Sequence, residues 1–543
     1  MKIDFKLSQV AKSVVLATDA SATIDTSSGN AMRFCGVVVS RTGRPFEVLI
    51  IGDNWKKVLG KPYHTRQGVG AESMRHVQEA VVGGKGYVVR VVPNTAKYPV
   101  ITLREKVTSE DKDSATYNTH GTNTVIEGKT THESVTTALP YGTDLSLNES
   151  ADIVSFYLID GDNENERFIK LEELDAVEYG GNGFMMLTLF EKQDGVVSEL
   201  EQHIVSANTE AIDVNNAPAF IADKLDANSQ RIRCEVNMDK ISTLFAFDKF
   251  TFAGGTSGQL KDISSADYAK AVDILSNADP EHHAVCALGC YDDEALKKLA
   301  KYAEDCRVSL YYDLEPNLSY SGALARQKAL PISTHHACAY HLPYRCNDPF
   351  YGNQVAYGLS GLVFAAKAKG VASKAPVGGW HIVPAGMDRA TINRSGMVLN
   401  EHAGTPDYVE MVKARINKIG LNEQGKPMID DHLTCRAKSD DLRYEGVVSG
   451  DNFLQREWYK LTQQWKHEPI KDAMDGLEKG FLAKLRDAET AGILTKTTKG
   501  GDAYSFKITQ EAKDLLVGVW HANIQGSMRR STGQCVLKAF DGE

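Results

Sequence analysis

Two helical patterns alternate with two buried-strand patterns between residues 264 and 316, and this order limits the folds open to the chain. Residues 264–276 and Asp292–Asp305 carry apolar side chains at the three- and four-residue spacing of one helix face. The runs Val285–Leu288 and Val308–Leu314 are almost entirely apolar, as strands buried on both faces are. Helices that alternate with buried strands predict a parallel α/β sheet.

Another α/β unit lies nearer the amino terminus, between residues 34 and 92. Two β-prone runs, Phe34–Ser40 and Phe46–Ile51, flank a Thr-Gly-Arg-Pro turn. Residues 72–82 carry apolar side chains on one helix face, a pair of glycines ends this helix, and Tyr87–Val92 is a further strand. We therefore expect both units to contribute to one α/β layer.

The character of the sequence changes between residues 100 and 240. Stretches rich in Ser, Thr, Asn and Asp separate short alternating runs such as Val154–Ile159 and Phe184–Phe190. Polar connections of this kind lie on the surface of a protein. The segment predicts one exposed, β-rich domain inserted into the α/β layer.

The C-terminal region contains one strongly amphipathic helix. Its apolar side chains fall within a single stripe, formed by Ile470, Ala473, Met474, Leu477, Phe481 and Leu485. Pro469 suits the first turn of such a helix, and Gly492 suits its end. A shorter helix is expected over Tyr408–Ile416.

Each end of the chain carries a short strand-like run behind a tether rich in Gly, Ser and Thr. The tethers are residues 20–30 and 526–534. An unpaired strand can add to the sheet edge of another chain through backbone hydrogen bonds. The candidate inter-subunit arm residues are Val14, Val15, Leu16, Val536, Leu537 and Phe540.

The composition narrows the functional classes. A length of 543 residues suggests about three to five domains at roughly 100–200 residues each. The formal net charge is −10, and no basic stripe of the kind that binds nucleic acid is visible. No apolar run approaches the roughly 20 residues that span a bilayer, and no signal peptide is recognised, so we expect folding in a cytosol without direct membrane contact. The nine scattered cysteines suit reduced, buried thiols.

Two stretches leave open an alternative, a cytosolic α/β enzyme with a metal or nucleotide site near residues 254–346. The first holds zinc-type ligands in an order that matches no zinc-finger spacing: His335, His336, Cys338, His341 and Cys346. The second is the loop Gly254–Gly258, which follows a strand-like run but lacks the order of a dinucleotide fingerprint. Gly83–Gly86 is glycine-rich too, without the span of a P-loop.

Other reactive side chains form no convincing catalytic set. Cys286 and Cys290 are separated by three intervening residues, not by two as in a thioredoxin-type pair, and in one buried strand they would face the same side. Asp313 and Glu315 end a strand, where α/β enzymes place catalytic groups, but nothing else converges on them. The sequence around Ser360 approaches a G-x-S-x-G motif without completing it. No catalytic, cofactor-binding or metal residue is predicted.

Several segments resemble, in their order along the chain, the tail sheath proteins of contractile phages and related injection machines. They are Val81–Val92 with its Gly-Gly turn, Phe252–Pro316 with its Gly-Gly-x-x-Gly loop, the apolar-Pro-Ala-Gly loop at His381–Gly386, the Arg-Ile-Asn segment at Ala414–Ile419, and the Glu-Pro helix start at residues 468–469.

The resemblance implies an α/β and α+β multidomain fold with nested domains. The expected parts are an N-terminal extended arm (1–30), the first part of an α/β sheath core (31–99), an inserted β-rich outward-facing domain (100–240), the continued α/β core (241–395), a C-terminal inner domain with the long amphipathic helix (396–532) and a C-terminal arm strand (533–543).

The resemblance also implies a structural subunit and not an enzyme. Such subunits polymerise into a helical sheath of stacked rings around an inner tube. The sheath shortens to drive the tube through a target cell envelope, using energy stored in assembly and no cofactor. The implied partners are other copies of the chain, whose sheets the arms complete, the inner tail tube protein, and baseplate and neck or terminator proteins. The implied location is a virion tail assembled in the host cytoplasm, with a bacteriocin or other injection device as the alternative.

Three cations flank the apolar stripe of the long helix: Lys479, Lys484 and Arg486. In the family a helix of the C-terminal domain faces the inner tube, so the resemblance implies a tube contact here. A basic face can meet acidic tube subunits, with a strength that falls as salt rises. The alternative is an ordinary solvated helix face.

Overall fold

The computed structural model describes residues 32–529, except residues 69, 109–128, 142, 144–146, 148–150, 161–164, 180, 182 and 214–215. Its strands are β1 (Phe34–Val38), β2 (Val48–Ile51), β3 (Gly86–Arg90), β4 (Lys97–Thr108), β5 (Lys129–Pro140), β6 (Asp152–Leu158), β7 (Glu166–Glu173), β8 (Phe184–Gln193), β9 (Val196–Ser206), β10 (Ile232–Val236), β11 (Phe247–Thr251), β12 (Ala284–Cys286), β13 (Ser309–Asp313), β14 (Ala337–Tyr340), β15 (Tyr344–Asn347), β16 (Gln354–Val355), β17 (Val398–Leu399), β18 (Ile416–Asn417), β19 (Ile419–Leu421), β20 (Pro427–Ile429), β21 (Tyr504–Ala512) and β22 (Leu515–Ala522). Its α-helices are α1 (Trp55–Leu59), α2 (Ser73–Ala80), α3 (Ala176–Tyr179), α4 (Ile221–Asn228), α5 (Ser265–Ala278), α6 (Asp293–Asp305), α7 (Tyr320–Ala329), α8 (Ser360–Ala372), α9 (Met387–Ala390), α10 (Tyr408–Lys413), α11 (Glu445–Gln464) and α12 (Ile470–Thr490).

A seven-stranded sheet forms the centre of the fold, in the order β18-β14-β13-β12-β1-β3-β2. Strand β2 is antiparallel to β3, and every other neighbouring pair is parallel. On one side of β1 lie β3 and β2, which follow it in the chain. On the other side lie β12 and then β13, β14 and β18, which come later in the chain. The direction of strand addition therefore reverses between β1 and β12. Three strands come from residues 34–90 and four from residues 284–417.

Helices cover both faces of this sheet. On one face, α2 and α8 bury Val77 and Phe364 in an apolar cluster that includes Phe34 of β1. On the other face, α5 and α6 bury Val272 and Leu299 against the alternate side chains of the same strands. Strand β1 is buried along its whole length because helices lie on both sides of it, which explains its unbroken apolar sequence.

The strands between β3 and β12 form two antiparallel sheets, in the orders β10-β6-β4-β5 and β11-β7-β8-β9. Both sheets contribute to one apolar cluster, with Phe156 and Leu187 among its members. Strand β11, beyond residue 240, pairs with β7 of this region. Strand β18, beyond residue 395, pairs with β14 of the central sheet. In both cases strand pairing joins segments that are distant in sequence.

Arg90, at the end of β3, joins the central sheet to the β-rich region. Its fully buried guanidinium donates to the carbonyl oxygens of Ser40 (2.9 Å) and Gly43 (2.7 Å), in the loop after β1. It also donates to the carbonyl of Asp160 (2.5 Å), after β6, and to the hydroxyl of Ser257 (2.8 Å), after β11. All five N–H groups have acceptors, so the buried charge is satisfied by hydrogen bonds.

The C-terminal part consists of the long helices α11 and α12 and the hairpin β21–β22. Aromatic rings join them: the ring of Trp520 lies 5.0 Å from that of Phe481 and 5.9 Å from that of Trp458. Phe506 of β21 lies 5.0 Å from Phe481. These side chains are continuous with the apolar cluster under α2 and α8, so the C-terminal helices pack on the central core.

The periodic patterns predict most of the central elements correctly. Helices over 264–276 and Asp292–Asp305, and the amphipathic helix after Pro469, are confirmed as α5, α6 and α12. The helix expected over Tyr408–Ile416 is too long, because α10 ends at Lys413, Arg415 adopts a φ of 65° and Ile416 pairs in β18. Helix α11 and the hairpin were not predicted. No helix in the described parts of the chain combines the length and apolarity needed to cross a bilayer.

Candidate assembly surfaces

The hairpin β21–β22 is a sheet of two strands, paired from Tyr504 opposite Ala522 to Ala512 opposite Leu515. One face packs on α11 and α12, and the other carries exposed side chains, of which Val519 is 52% exposed. Neither outer edge has a strand partner among the described residues. Unpaired edges present backbone N–H and C=O groups to any strand that approaches them, so this hairpin can accept one strand on each side.

The three cations of the predicted tube contact lie on α12, with different surroundings. Lys479 and Arg486 are exposed. Lys484 is 41% exposed and forms an ion pair with Glu457 of α11 at 2.9 Å. Part of its charge is therefore engaged within the chain, and the two helices are joined at this point.

The solvent-facing side of α12 carries acidic residues as well as these cations. Asp472, Asp475, Glu478 and Asp487 are all exposed. The face is thus of mixed sign, and the basic patch expected from the sequence is confined to the positions of Lys479 and Arg486.

The terminal arm residues lie outside the residues that the structure describes. This applies to Val14, Val15, Leu16, Val536, Leu537 and Phe540. Both arms remain predictions from the sequence.

The histidines of the candidate zinc stretch pack into the core separately. His336 lies 3.1 Å from the carbonyl oxygen of Val308, and His341 lies 3.2 Å from that of Leu318. Burial lowers the pKa of each imidazole to about 4, so both are neutral near pH 7. Within the described ranges, no three His, Cys, Asp or Glu side chains are grouped so that they could hold a metal ion.

Cys286 and Cys290 face opposite sides of the central sheet, and the expectation that they share a face is wrong. Strand β12 ends at Cys286, since Leu288 and Gly289 turn the chain with φ values of 50° and 82°. Cys286 joins the cluster under α8, and Cys290 joins the one under α5 and α6. Burial raises the pKa of both thiols, that of Cys290 to about 12, so both are protonated near pH 7.

The two carboxylates at the end of β13, those of Asp313 and Glu315, accept hydrogen bonds from different groups. Buried Asp313 accepts the backbone N–H groups of Leu359 (2.5 Å) and Ser360 (2.8 Å), at the start of α8. Glu315 accepts a hydrogen bond from Arg326 at 3.0 Å. The two side chains therefore do not form an acid–base pair.

Ser360 takes part in a contact that resembles a hydrolase triad in its residue types. Its hydroxyl lies 3.1 Å from Nδ1 of His76, whose Nε2 lies 3.5 Å from a carboxylate oxygen of Glu72. Ser360 and His76 are completely buried, and Asp313 already occupies the amides at this helix start that would stabilise an oxyanion. The arrangement is a buried polar network that joins α2, α8 and β13.

A cavity of about 920 Å³ opens beside the reversal in strand order, where open α/β sheets commonly bind ligands. Its acidic side chains are engaged within the protein: Glu72 accepts from Tyr291, Asp292 accepts from the amide of Ala295, and Glu315 accepts from Arg326. The enzyme alternative placed a site in this part of the chain. The described lining offers no carboxylate that is free to act as a base.

The loop Gly254–Gly258 packs closely against other residues of the chain. A Cβ at Gly255 would lie 2.5 Å from Cδ of Pro99, and one at Gly258 would lie 2.5 Å from Cγ of Pro93. Glycine is needed here because the loop packs directly on the segment that leads into β4. No space for a phosphate group is left on that side.

The described fold is similar to that of a sheath tail protein. No protein-family model matches the sequence, and no curated protein matches it. The crystal structure of the sheath tail protein Lin1278 from Listeria innocua matches with a TM-score of 0.50 and 10% sequence identity, over 91% of this chain and 95% of that chain.

Two further structures show partial similarity. The sheath of an extracellular contractile injection system, PVC, in its contracted state has a TM-score of 0.40 and 15% identity, over 51% of this chain and 75% of its own. The contracted helical sheath of the anti-feeding prophage has a TM-score of 0.38 and 15% identity, over 51% and 75% of the two chains. The similarity to Lin1278 extends over almost the whole of both chains and shows the fold. The resemblance to contractile tail sheath proteins is thereby confirmed at the level of the fold.

Proposed function

We propose that this chain is a structural subunit of a contractile sheath, which polymerises around an inner tube and shortens using energy stored in assembly. The shared fold with a sheath tail protein supports this role. A sheath that shortens needs rigid units that move against each other while staying connected. The central sheet, closed by helices on both faces, is suited to be such a unit.

The hairpin β21–β22 is the observation that carries the proposal. It has two open edges among the described residues, and the sequence has two terminal strand-like runs, which lie outside the described residues. We propose that arms from neighbouring copies pair with these edges and complete a four-stranded sheet. Backbone pairing of this kind keeps subunits linked while their packed faces rearrange.

Assembly of the purified chain tests the proposal. Rings or tubes that form with rising concentration, seen by negative-stain microscopy, are expected. Replacement of Val14, Val15 and Leu16 by Ser removes the apolar side chains that a paired strand buries, so the tubes should be lost. The matched control replaces Ser21, Thr23 and Thr26 by Ala in the tether and should still polymerise.

Deletion of residues 535–543 gives a second, independent test at the other terminus. We expect loss of tubes with a monomer that retains its circular dichroism spectrum and melting temperature. Tubes that form without either arm would refute strand exchange. A chain that stays monomeric at all concentrations, and retains a metal or nucleotide, would refute the sheath role and support the enzyme alternative.

We propose that α12 contacts the tube through Lys479 and Arg486, with Lys484 in a secondary part because of its ion pair. Reversal of both exposed charges to Glu should weaken co-sedimentation with tube protein, most strongly at low salt. The control reverses Lys496 and Lys499, which are exposed beyond the helix. Equal binding by both variants would remove α12 from the tube contact.

The remaining parts of the proposal concern the particle. The β-rich region of residues 100–240, with its exposed polar connections, would form the outward surface of the sheath. Baseplate and neck or terminator proteins would contact its two ends. The particle is proposed to be a virion tail or a related injection device, assembled in the cytoplasm of the producing cell. Electron microscopy of particles released from that cell, extended and contracted, would test these points together.

A further inference from the structure

A groove of about 520 Å³ runs between the end of α2 and the length of α8. We call it the α2–α8 groove. Its floor is made of small apolar side chains, including Ala365, Ala368 and Ala372. Val82, at the end of α2, lies at its side with 82% of its surface exposed. Val82 thus extends the apolar floor onto the solvent-facing side of the groove.

The two helices approach closely enough that the groove has a rigid floor. A Cβ at Gly83 would lie 2.8 Å from Cα of Ala365 and 3.0 Å from Cβ of Ala368. Phe364 is completely buried beneath, with its ring 5.0 Å from that of Phe34. The groove therefore does not depend on movable side chains for its shape.

Two cations, Lys369 and Arg389, lie at the edge of the groove, and neither forms an ion pair with a carboxylate in the described part of the chain. Lys369 donates to the carbonyl oxygen of Asp388 at 2.9 Å, and Arg389 donates to that of Val383 at 3.3 Å. Backbone carbonyls leave both positive charges uncompensated. A segment that fits this groove would combine an apolar side chain with an acidic one.

The first described residue of the chain lies at the end of this groove. Met32 is buried, and a Cβ at Gly84 would lie 1.9 Å from its carbonyl oxygen. The amide of Phe34 donates to the carbonyl of Lys85 at 3.1 Å, which ties this point to the turn after α2. The 31 residues that precede Met32 therefore start beside Val82 and Gly83.

The residues that precede Met32 include the apolar and the acidic side chain that would suit the groove. Residues 24–31 read Ile-Asp-Thr-Ser-Ser-Gly-Asn-Ala, with one large apolar side chain, Ile24, next to one carboxylate, Asp25. Eight residues span up to about 26–29 Å. The part of α8 that lines the groove, residues 362–372, rises about 15 Å. The segment is long enough to reach every part of the groove.

We propose that residues 24–31 of the same chain occupy the α2–α8 groove, with Ile24 on the alanine floor and Asp25 beside Lys369 and Arg389. The N-terminal segment would then leave the subunit from the far end of α8 and not from the start of β1. This docking does not require polymerisation, so it can fail while the sheath role stands.

Thiol labelling of the full-length chain tests the proposal. The variant Val82→Cys is compared with Val196→Cys at the start of β9, whose parent residue is 69% exposed, both in a Cys306→Ser, Cys535→Ser background. Without an occupant, the more exposed position 82 should react at least as fast as position 196. Occupation of the groove predicts labelling about ten-fold slower at position 82. Adding Ile24→Asp should restore fast labelling there and leave position 196 unchanged.

Disulfide trapping identifies which chain supplies the occupant. The pair Ile24→Cys and Ala372→Cys, oxidised at low protein concentration, should give a cross-link within one chain, shown by non-reducing gels and peptide mapping. The control pair Ile24→Cys and Val196→Cys should not cross-link. A covalent dimer would assign the groove to a neighbouring copy and overturn the proposal. Fast labelling at position 82, or no cross-link above the control, would overturn it as well.

Discussion

The central sheet and the hairpin β21–β22 differ in how far the chain completes them. Strand β1 has neighbours on both sides and helices on both faces, and every one of its residues is buried. The hairpin has helices on one face, exposed side chains on the other, and two open edges among the described residues. The first is a finished core, whereas the second is a sheet that another chain can extend.

The two regions should therefore govern different properties: the central sheet governs the stability of the subunit, and the hairpin governs its assembly. Substitutions in the central sheet should unfold the subunit and affect assembly only as a consequence. Substitutions on the outer face or edges of the hairpin should leave the subunit folded and act on association alone. Four predictions test this division, from the largest expected effect to the smallest.

The buried pair between Lys367 of α8 and Glu445 of α11 should give the largest effect. Its atoms lie 3.0 Å apart, Tyr311 also donates to the carboxylate at 2.9 Å, and burial lowers the pKa of Lys367 against the effect of Glu445. Lys367→Met leaves Glu445 buried without its counter-ion, so we expect a loss of about 3–5 kcal/mol in urea unfolding.

The double variant Lys367→Met, Glu445→Leu is the control for this pair. It removes both charges and should recover most of the lost stability, because apolar replacement of a whole buried pair is often neutral. A single variant within about 1 kcal/mol of the parent would show that this part of the core tolerates an unpaired charge.

Acid should destabilise the finished core through its buried imidazoles. His336 and His341 have pKa values of about 4, lowered by burial from an unfolded value of about 6.5. Between these values the unfolded chain binds more protons, so stability should fall as pH drops from about 6.5 to 4, by up to about 3 kcal/mol per imidazole. Melting temperatures measured across this range should fall less steeply in His341→Gln than in the parent chain, and an equal slope in the two would exclude this imidazole as a cause.

Trp520→Ala should loosen the hairpin without opening the central sheet. The indole packs on Phe481 and Trp458 and is half-buried, so we expect a loss of about 2–3 kcal/mol confined to the C-terminal part. Hydrogen exchange should speed up in β21 and β22 and stay slow in β13. Val519→Ala, on the outer face, should change exchange in neither; equal acceleration in β13 would mean that the two regions unfold as one.

The ion pair between Lys484 and Glu457 should contribute least. Both groups are partly exposed, so a double-mutant cycle to Ala should give a coupling of about 0.2–1 kcal/mol that weakens with salt. Lys479→Ala, whose side chain forms no ion pair in the described fold, should give no coupling to Glu457. A larger, salt-independent value would mark a rigid joint between α11 and α12.

The sequence predicts the central sheet well because its signals are local. Val285–Leu288 and Val308–Leu314 are apolar throughout, and each is flanked by a helix whose apolar spacing is visible in one turn after another. The ends of strands are less predictable: the facing of Cys290 depends on the left-handed φ of Leu288, and a non-glycine residue gives no sequence signal for it.

The hairpin β21–β22 was not predicted, for a different reason. Tyr504, Phe506 and Ile508 alternate with polar residues, which was a usable signal for β21. The aromatic contacts that hold it come from Trp458 and Phe481, on helices distant in sequence. The pairing of Lys484 with Glu457 is equally non-local, so the sequence overstated the basic character of α12.

The satisfied guanidinium of Arg90 has a practical consequence for engineering. Because it draws acceptors from the loops after β1, β6 and β11, exchanging the whole β-rich region for another domain would strip a buried charge of its ligands. A foreign segment is better grafted at the β8–β9 turn, where Asp194 and Gly195 have positive φ and Val196 is exposed. A graft there leaves the hydrogen bonds of Arg90, and with them the junction between the central sheet and the β-rich region, unchanged.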